Sequence, residues 1–210
     1  MAALIPEVVI LRLPLYFRTL ALLEEEKTDI VSSQELGARL QITPAQIRKD
    51  LSYFGKFGTQ GKGYNVSQLL SELRQILGLD RKWPVALIGV GRLGRAILDH
   101  SALHLQGFQI VAAFETDPRR IGKKVGQLAV RDIAELSATV KNQGIRIGII
   151  ALRPAEAPEA INCLVGCGIK AILNYAPVAP QVPSGIRVYN IDPVVGLQTL
   201  TYHLKSLGAP

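Results

Sequence analysis

The sequence predicts an α/β chain in three parts: a winged helix-turn-helix domain, a Rossmann-type parallel-sheet domain, and a lone amphipathic dimerisation helix at the end. Three observations predict it. Residues 1–82 read as helices of 3.6-residue apolar periodicity with no buried strand between them. From Val85 onward, short apolar runs alternate with helical stretches, the pattern of a doubly wound parallel sheet. A glycine-rich turn joins the first of those runs to the helix behind it. The predicted boundaries are 1–82, 83–190 and 191–210.

Taken in order, Arg12 to about Glu26 is the first helix, with Leu13, Tyr16, Phe17, Leu20 and Leu23 at helical spacing. Ser32-Ser33-Gln34-Glu35 is a capping box that opens a short helix through Leu36 and Leu40. Gln41 to Pro44 leads straight into a third helix, Pro44 to Phe54, with Thr43 as N-cap and Gln46 closing its box. Ile47, Leu51 and Phe54 form its core face, while Gln46, Arg48, Lys49, Ser52 and Tyr53 point outward. Helix, short turn and helix with a polar-basic outer face is the geometry that places a second helix in a major groove. Gly55 to Tyr64, four glycines among lysines and aromatics, then reads as a small hairpin or wing. Val66 to Leu77 closes the domain as a fourth helix, and Gly78 to Pro84 is the linker.

Val85-Ala86-Leu87-Ile88 is an apolar run of the kind buried on both faces of a parallel sheet. It turns through Gly89-Val90-Gly91-Arg92-Leu93-Gly94, a dinucleotide-binding pattern. The first glycine permits the turn, the second lets a diphosphate approach the backbone, and the third lets the helix pack on the strand. The free amides of that helix's first turn would face the anion. A second run, Ile110 to Phe114, ends at Glu115, where such a fold places the carboxylate that grips an adenosine ribose. A carboxylate there favours NAD(H) over its 2′-phosphorylated form. Arg119, Arg120, Lys123 and Lys124 make a basic run behind it. Arg119 and Arg120 pull the other way, near enough to accept a phosphate, but the carboxylate lies at the strand end itself and decides for NAD(H). Gln127 to Val130 is a short strand, Asp132 caps a helix to about Asn142, and Ile145 to Ala151 is the next buried strand. Pro154 opens a helix to about Val165, stopped by Gly168, and Ile169 to Leu173 is a further strand. Pro193 to about Ser206 is the last helix, whose Val194, Leu197, Leu200, Leu204 and Leu207 form a seam that calls for a partner.

The formal net charge of +7 suits a polyanionic partner. It is not stacked in one half: residues 1–82 hold 11 basic and 9 acidic side chains, and 83–210 hold 13 and 8. Between residues 39 and 64, however, Arg39, Arg48, Lys49, Lys56 and Lys62 face Asp50 alone. No apolar run has the length of a membrane span and no signal-peptide layout opens the chain, so a cytoplasmic protein is expected. The two cysteines, Cys163 and Cys167, imply no disulfide framework and read as buried helix residues. An NAD-dependent dehydrogenase, or a nucleotide-binding module without DNA, are the alternatives. The first lacks an evident acid–base residue among His100, His104 and His203, and the second leaves residues 1–82 unexplained.

Pro44-Ala-Gln-Ile-Arg-Lys-Asp-Leu-Ser-Tyr-Phe-Gly55, the Gly-x-Gly-Tyr64 that ends the wing, Ile172-Leu-Asn-Tyr-Ala-Pro177 and Arg12-Leu-Pro-Leu-Tyr-Phe-Arg18 resemble the Rex family of bacterial redox-sensing repressors. The resemblance runs nearly end to end. It implies a non-catalytic homodimer that holds palindromic operator DNA and releases it on binding NADH as the NADH/NAD+ ratio rises. It assigns Gln46, Arg48, Lys49, Tyr53 and Lys62 to DNA. Gly89 to Gly94 fall to the diphosphate and Glu115 to the ribose, while Arg18, His100 and Asp192 fall to a redox switch at the nicotinamide. Three positions depart from the family pattern: His100 stands in place of a tyrosine, Pro193 follows the switch carboxylate, and Gln60 replaces a wing arginine.

Overall fold

The computed structural model describes residues 5–58 and 62–207 and divides into two compact units, Met1–Arg81 and Lys82–Pro210. In the first, helix α1 (Glu7–Glu25) packs on α2 (Ser33–Leu40), α3 (Pro44–Ser52) and α4 (Val66–Ile76). Leu13, Tyr16, Leu20, Ile47, Leu69 and Leu73 fill the centre, as periodicity dictates for amphipathic helices. Ser32 and Glu35 form the expected capping box, and Thr43 accepts the Gln46 amide at 3.3 Å.

Two expectations change here. α1 starts at Glu7, not Arg12, because Pro6 sets the entry and the acid favours the first turn. Pro14 stays inside α1 on its exposed side, where one missing backbone bond is tolerated. α3 ends at Ser52 rather than Phe54, with Tyr53 as C-cap ahead of Gly55. Among the described residues, the pairing at the wing is between β1 (Ile30–Val31) and β2 (Tyr64–Asn65), antiparallel; the middle of the hairpin expected over 55–64, residues 59–61, lies outside them. Gln60 lies outside the described residues.

The second unit is a seven-stranded sheet. Its strands are β3 (Trp83–Ile88), β4 (Phe108–Glu115), β5 (Lys124–Val125), β6 (Leu128–Asp132), β7 (Ile147–Ile150), β8 (Ala171–Asn174) and β9 (Arg187–Asn190). The order is β5-β6-β4-β3-β7-β8-β9, parallel throughout except for the β5 edge. Helices α5 (Arg92–Leu98), α6 (Ser101–Leu105), α7 (Leu136–Asn142) and α8 (Ala157–Gly166) cross between strands, and α9 (Pro193–Ser206) follows the last strand. From β3 the chain goes one way to β4 and the other way to β7. That reversal opens a crevice at the carboxyl ends of the strands, beyond Ile88.

α8 begins at Ala157 instead of Pro154, because Pro158 in its first turn pre-sets the helical φ, whereas residues 154–156 form a turn. The cysteines are not buried as expected. α8 turns Ala157, Ile161 and Leu164 to the core, which leaves Cys163 exposed and Cys167 half-buried. β9 has no counterpart among the expected strands: it is short, half-polar and on the sheet edge.

Candidate functional site

The glycine turn is shaped by contacts that admit no side chain. Gly89 has φ +95°, and a Cβ on it would lie 2.6 Å from the Ala151 carbonyl oxygen. A Cβ on Gly94 would lie 2.0 Å from the Gly89 carbonyl oxygen, so α5 sits directly on the loop. Gly91 differs. Nothing but Nη1 of Arg120, at 3.9 Å, comes within 4 Å of where its Cβ would be, so its backbone is open to an incoming group.

Glu115 lies at the end of β4 beside this turn and is only 5% exposed. Its Oε1 accepts the Val90 amide at 3.0 Å and Nη1 of Arg120 at 2.6 Å. Its Oε2 accepts the amides of Thr116 at 3.1 Å and Asp117 at 3.4 Å. Burial pushes this carboxyl up, but Arg120 and the amides of Val90 and Asp117 outweigh burial and hold it below its ordinary range. Asp117 is drawn down to about 2, chiefly by the Arg119 side chain. A cavity of about 610 Å³ opens over the loop, lined by Gly89, Gly91, Arg92, Leu93, Glu115 and Arg120 among others. A second, of about 360 Å³, shares Gly89, Glu115 and Leu152 with it and is floored by Ile88, Ile133 and Ala134, with Cys163 on its wall. A diphosphate over the glycines and a flat apolar ring between Ile133 and Leu152 fit this arrangement.

In the first unit, the N-termini of α2 and α3 converge on a cavity of about 980 Å³ lined by Ser33, Thr43, Pro44, Arg48, Gly58 and Tyr64. Arg48 is exposed and its Nη1 donates to Ser33 Oγ at 3.0 Å, which ties the two helices together at the rim. Lys49 and Lys62 are exposed, and Tyr53 is half-buried at the end of α3. Gln46 corrects its expected orientation. Its Nε2 donates to Asp50 Oδ1 at 2.5 Å, so the side chain turns inward, half-buried, and does not complete the α3 capping box.

Asp50 is the hub of that inward cluster. Fully buried, it also accepts Arg12 Nε at 2.5 Å, Arg12 Nη2 at 2.8 Å and Tyr16 OH at 2.6 Å. Burial pushes its carboxyl up, but the bonds from Arg12, Tyr16 and Gln46 together bring it below its ordinary value. The clamp fastens α3 to α1.

The three switch candidates are spread across both units. Arg18 is exposed on α1 of the first unit. His100, exposed, precedes α6, and Asp192 is the N-cap of α9, its Oδ1 accepting the Val194 amide at 2.9 Å. Among the described residues, no hydrogen bond joins His100 to Asp192.

Known proteins match almost the whole chain. A redox-sensing transcriptional repressor Rex of Chloroflexus aurantiacus is 50% identical over 199 residues, spanning 95% of this chain and 94% of that protein. The chain belongs to the Rex family of redox-sensing transcriptional repressors. Rex 1 of Thermotoga maritima is 42% identical, covering 97% of this chain and 98% of its own length. A crystal structure of the repressor RSP in complex with β-NAD+ and operator DNA is 35% identical, covers 98% of this chain and 95% of that one, and superposes with a TM-score of 0.92. RSP with β-NADH is 33% identical, covers 98% and 97%, and scores 0.89. A family model described as a DNA-binding protein N-terminus matches residues 4–52, and a CoA binding domain model matches residues 80–178.

Two features of this Rex-family chain were not singled out from sequence: the Asp50 clamp and the cover that Arg120 places over Glu115. Gln46 and Asp50, four apart on one helix, carried a local signal for the first.

Proposed function

We propose that the chain is an NADH-responsive repressor: two copies hold a palindromic operator and release it when NADH occupies the glycine-loop crevice. The observation that carries this reading is the pairing, in one chain, of a helix-turn-helix surface rimmed by Arg48 with a dinucleotide-shaped crevice. RSP, matching nearly end to end, was solved with NAD+ and operator DNA.

Arg48, Lys49, Tyr53 and Lys62 are assigned to the duplex, the cations against phosphate or base edges. Gly89, Val90, Gly91, Arg92, Leu93 and Gly94 form the diphosphate seat, and Glu115 takes the ribose. The cavity's paired acids, Glu115, Asp117 and Glu156, all sit below their ordinary range, which makes them weak bases near neutral pH and suits binding rather than catalysis.

A bound nicotinamide carries positive charge when oxidised and none when reduced. Asp192 is the proposed sensor of that difference, with Arg18 and His100 as its partners. Any pull on its carboxylate competes with the cap it provides to α9. Nucleotide binding shifts the protein between operator-binding and released arrangements only by its differential affinity, about 10⁴-fold to swing 1:99 to 99:1.

The test is fluorescence anisotropy on a labelled AT-rich palindrome, titrated with NADH and then NAD+ at fixed salt. Tight binding released by NADH and not by NAD+ is expected. Absence of DNA binding, or indifference to both nucleotides, overturns the proposal.

A further inference from the structure

We infer that Arg120 is a specificity residue of the crevice that changes partner when the nucleotide enters, from the Glu115 carboxylate to the diphosphate. The inference rests on reading this crevice as a dinucleotide site and deepens that reading. It starts from an acceptor count. An ionised carboxylate has two oxygens and about four lone-pair directions. Glu115 fills all of them, with the amides of Val90, Thr116 and Asp117 and the guanidinium of Arg120. A ribose hydroxyl therefore cannot donate to Glu115 until one of those donors leaves.

Three of the four are backbone amides fixed by the turn. Val90 belongs to the glycine loop itself, and Thr116 and Asp117 follow β4 directly. Arg120 alone is a flexible side chain, 40% exposed against 5% for its partner. It is the donor that can move.

Where it can go is set by the same geometry. Nη1 already stands 3.9 Å from the point where a Cβ of Gly91 would project. That space is open in the crevice, and it is the space a diphosphate occupies when it lies against the second glycine. A guanidinium matches phosphate oxygens as well as it matches a carboxylate. Asp117 Oδ2, 3.6 Å from Arg120 Nε and lining the same cavity, is a second anion that holds the Nε edge of the guanidinium during the exchange.

The exchange separates the two halves of the ligand. With Arg120 gone, the ribose meets a Glu115 already relieved of its guanidinium, while the diphosphate meets an uncovered carboxylate and one cation fewer among those that line the cavity. Arg120→Met keeps the aliphatic stem and removes the charge. On the full chain, ADP-ribose affinity measured by calorimetry falls in this variant by about tenfold to about a hundredfold, the worth of a charge-assisted hydrogen bond. Adenosine affinity, measured by ligand-observed NMR, holds or rises. Arg120→Lys recovers most of the ADP-ribose loss, with thermal melting to verify the fold of both variants.

Equal losses for adenosine and ADP-ribose would make Arg120 a structural brace and overturn the exchange, as would an unchanged ADP-ribose affinity. A larger loss for NADPH than for NADH would put the cation on a 2′-phosphate and overturn it too. If the unaltered chain binds neither ADP-ribose nor adenosine, the dinucleotide reading itself falls.

Discussion

Replacing Asp50 by Asn tests whether the clamp between α1 and α3 holds the helix-turn-helix unit together. The substitution keeps the volume, removes the charge and directs an amide NH2 at a pocket already crowded with donors. Arg12, Tyr16 and Gln46 supply four hydrogen bonds to this one carboxylate, and breaking a buried ion pair from one side costs about 3–5 kcal/mol. Arg12 is 19% exposed and recovers some hydration, so the lower end, about 3 kcal/mol, is expected. For a unit of this size that lowers Tm by about 12–24 °C.

Far-UV circular dichroism of the full chain follows both units. Trp83, the single tryptophan, follows the second from within β3. The dichroism transition should fall while the tryptophan transition stays. A shift below about 4 °C, or the same shift in both signals, refutes the argument.

The same variant carries a pH signature. The folded Asp50 carboxyl lies below its ordinary value, so it binds its proton less readily than the unfolded chain does, near pH ~3.9. The clamp's contribution is then complete above that pH and is lost as pH falls through the lower folded value. Asp50→Asn flattens this acid dependence.

Three further outcomes are expected. Gly94→Ala drives a Cβ into the Gly89 carbonyl oxygen and distorts the loop, so NADH affinity falls at least about tenfold by calorimetry while operator binding without nucleotide persists; unchanged NADH affinity would count against the loop as the diphosphate seat. Arg48→Ala weakens operator binding and, if it contacts a phosphate, reduces the salt slope by about 1, with NADH affinity intact; equal loss of both would indicate misfolding. Asp192→Asn preserves a good helix cap but removes the charge, so discrimination between NADH and NAD+ in the anisotropy assay is lost without loss of α9 helicity, whereas Asp192→Ala also forfeits about 1 kcal/mol of capping.

What could be read from sequence were features whose physical cause is local. Gly89, Gly91 and Gly94 answer demands made within a few residues, and the Ser32–Glu35 box closes within one turn. The parallel strands from β3 to β8 are legible because burial on both faces forces an unbroken apolar run. Asp50 was not legible as a hub. It stands between Lys49 and Leu51 on a basic helix, and three of its four bonds come from side chains 34 and 38 positions away. Arg120 was legible in part: its place after β4 sets it, with Arg119, near enough to take a phosphate, but its seat over Glu115 depends on the turn that follows the strand. β9 gave no signal because an edge strand of Arg, Val, Tyr and Asn needs no apolar pattern.

α9 follows from the same logic carried one step further. None of its residues is buried, yet Val194, Val195, Leu197, Leu200, Tyr202 and Leu204 are large, apolar and more than half exposed. An exposed apolar face of this extent marks an interaction site, and a C2 pair of copies covers it with the fewest new parts, in keeping with the homodimer expected from sequence. The residue that starts this helix is Asp192, the proposed sensor of nicotinamide charge. One carboxylate would thus both cap the dimer helix and face the ligand. A change in what that carboxylate binds would reach the subunit interface through the first turn of α9, without a relay through the sheet. On this view the sensor belongs at a helix cap, where a charge-dependent bond to a backbone amide couples directly to the stability of the element that joins the two copies.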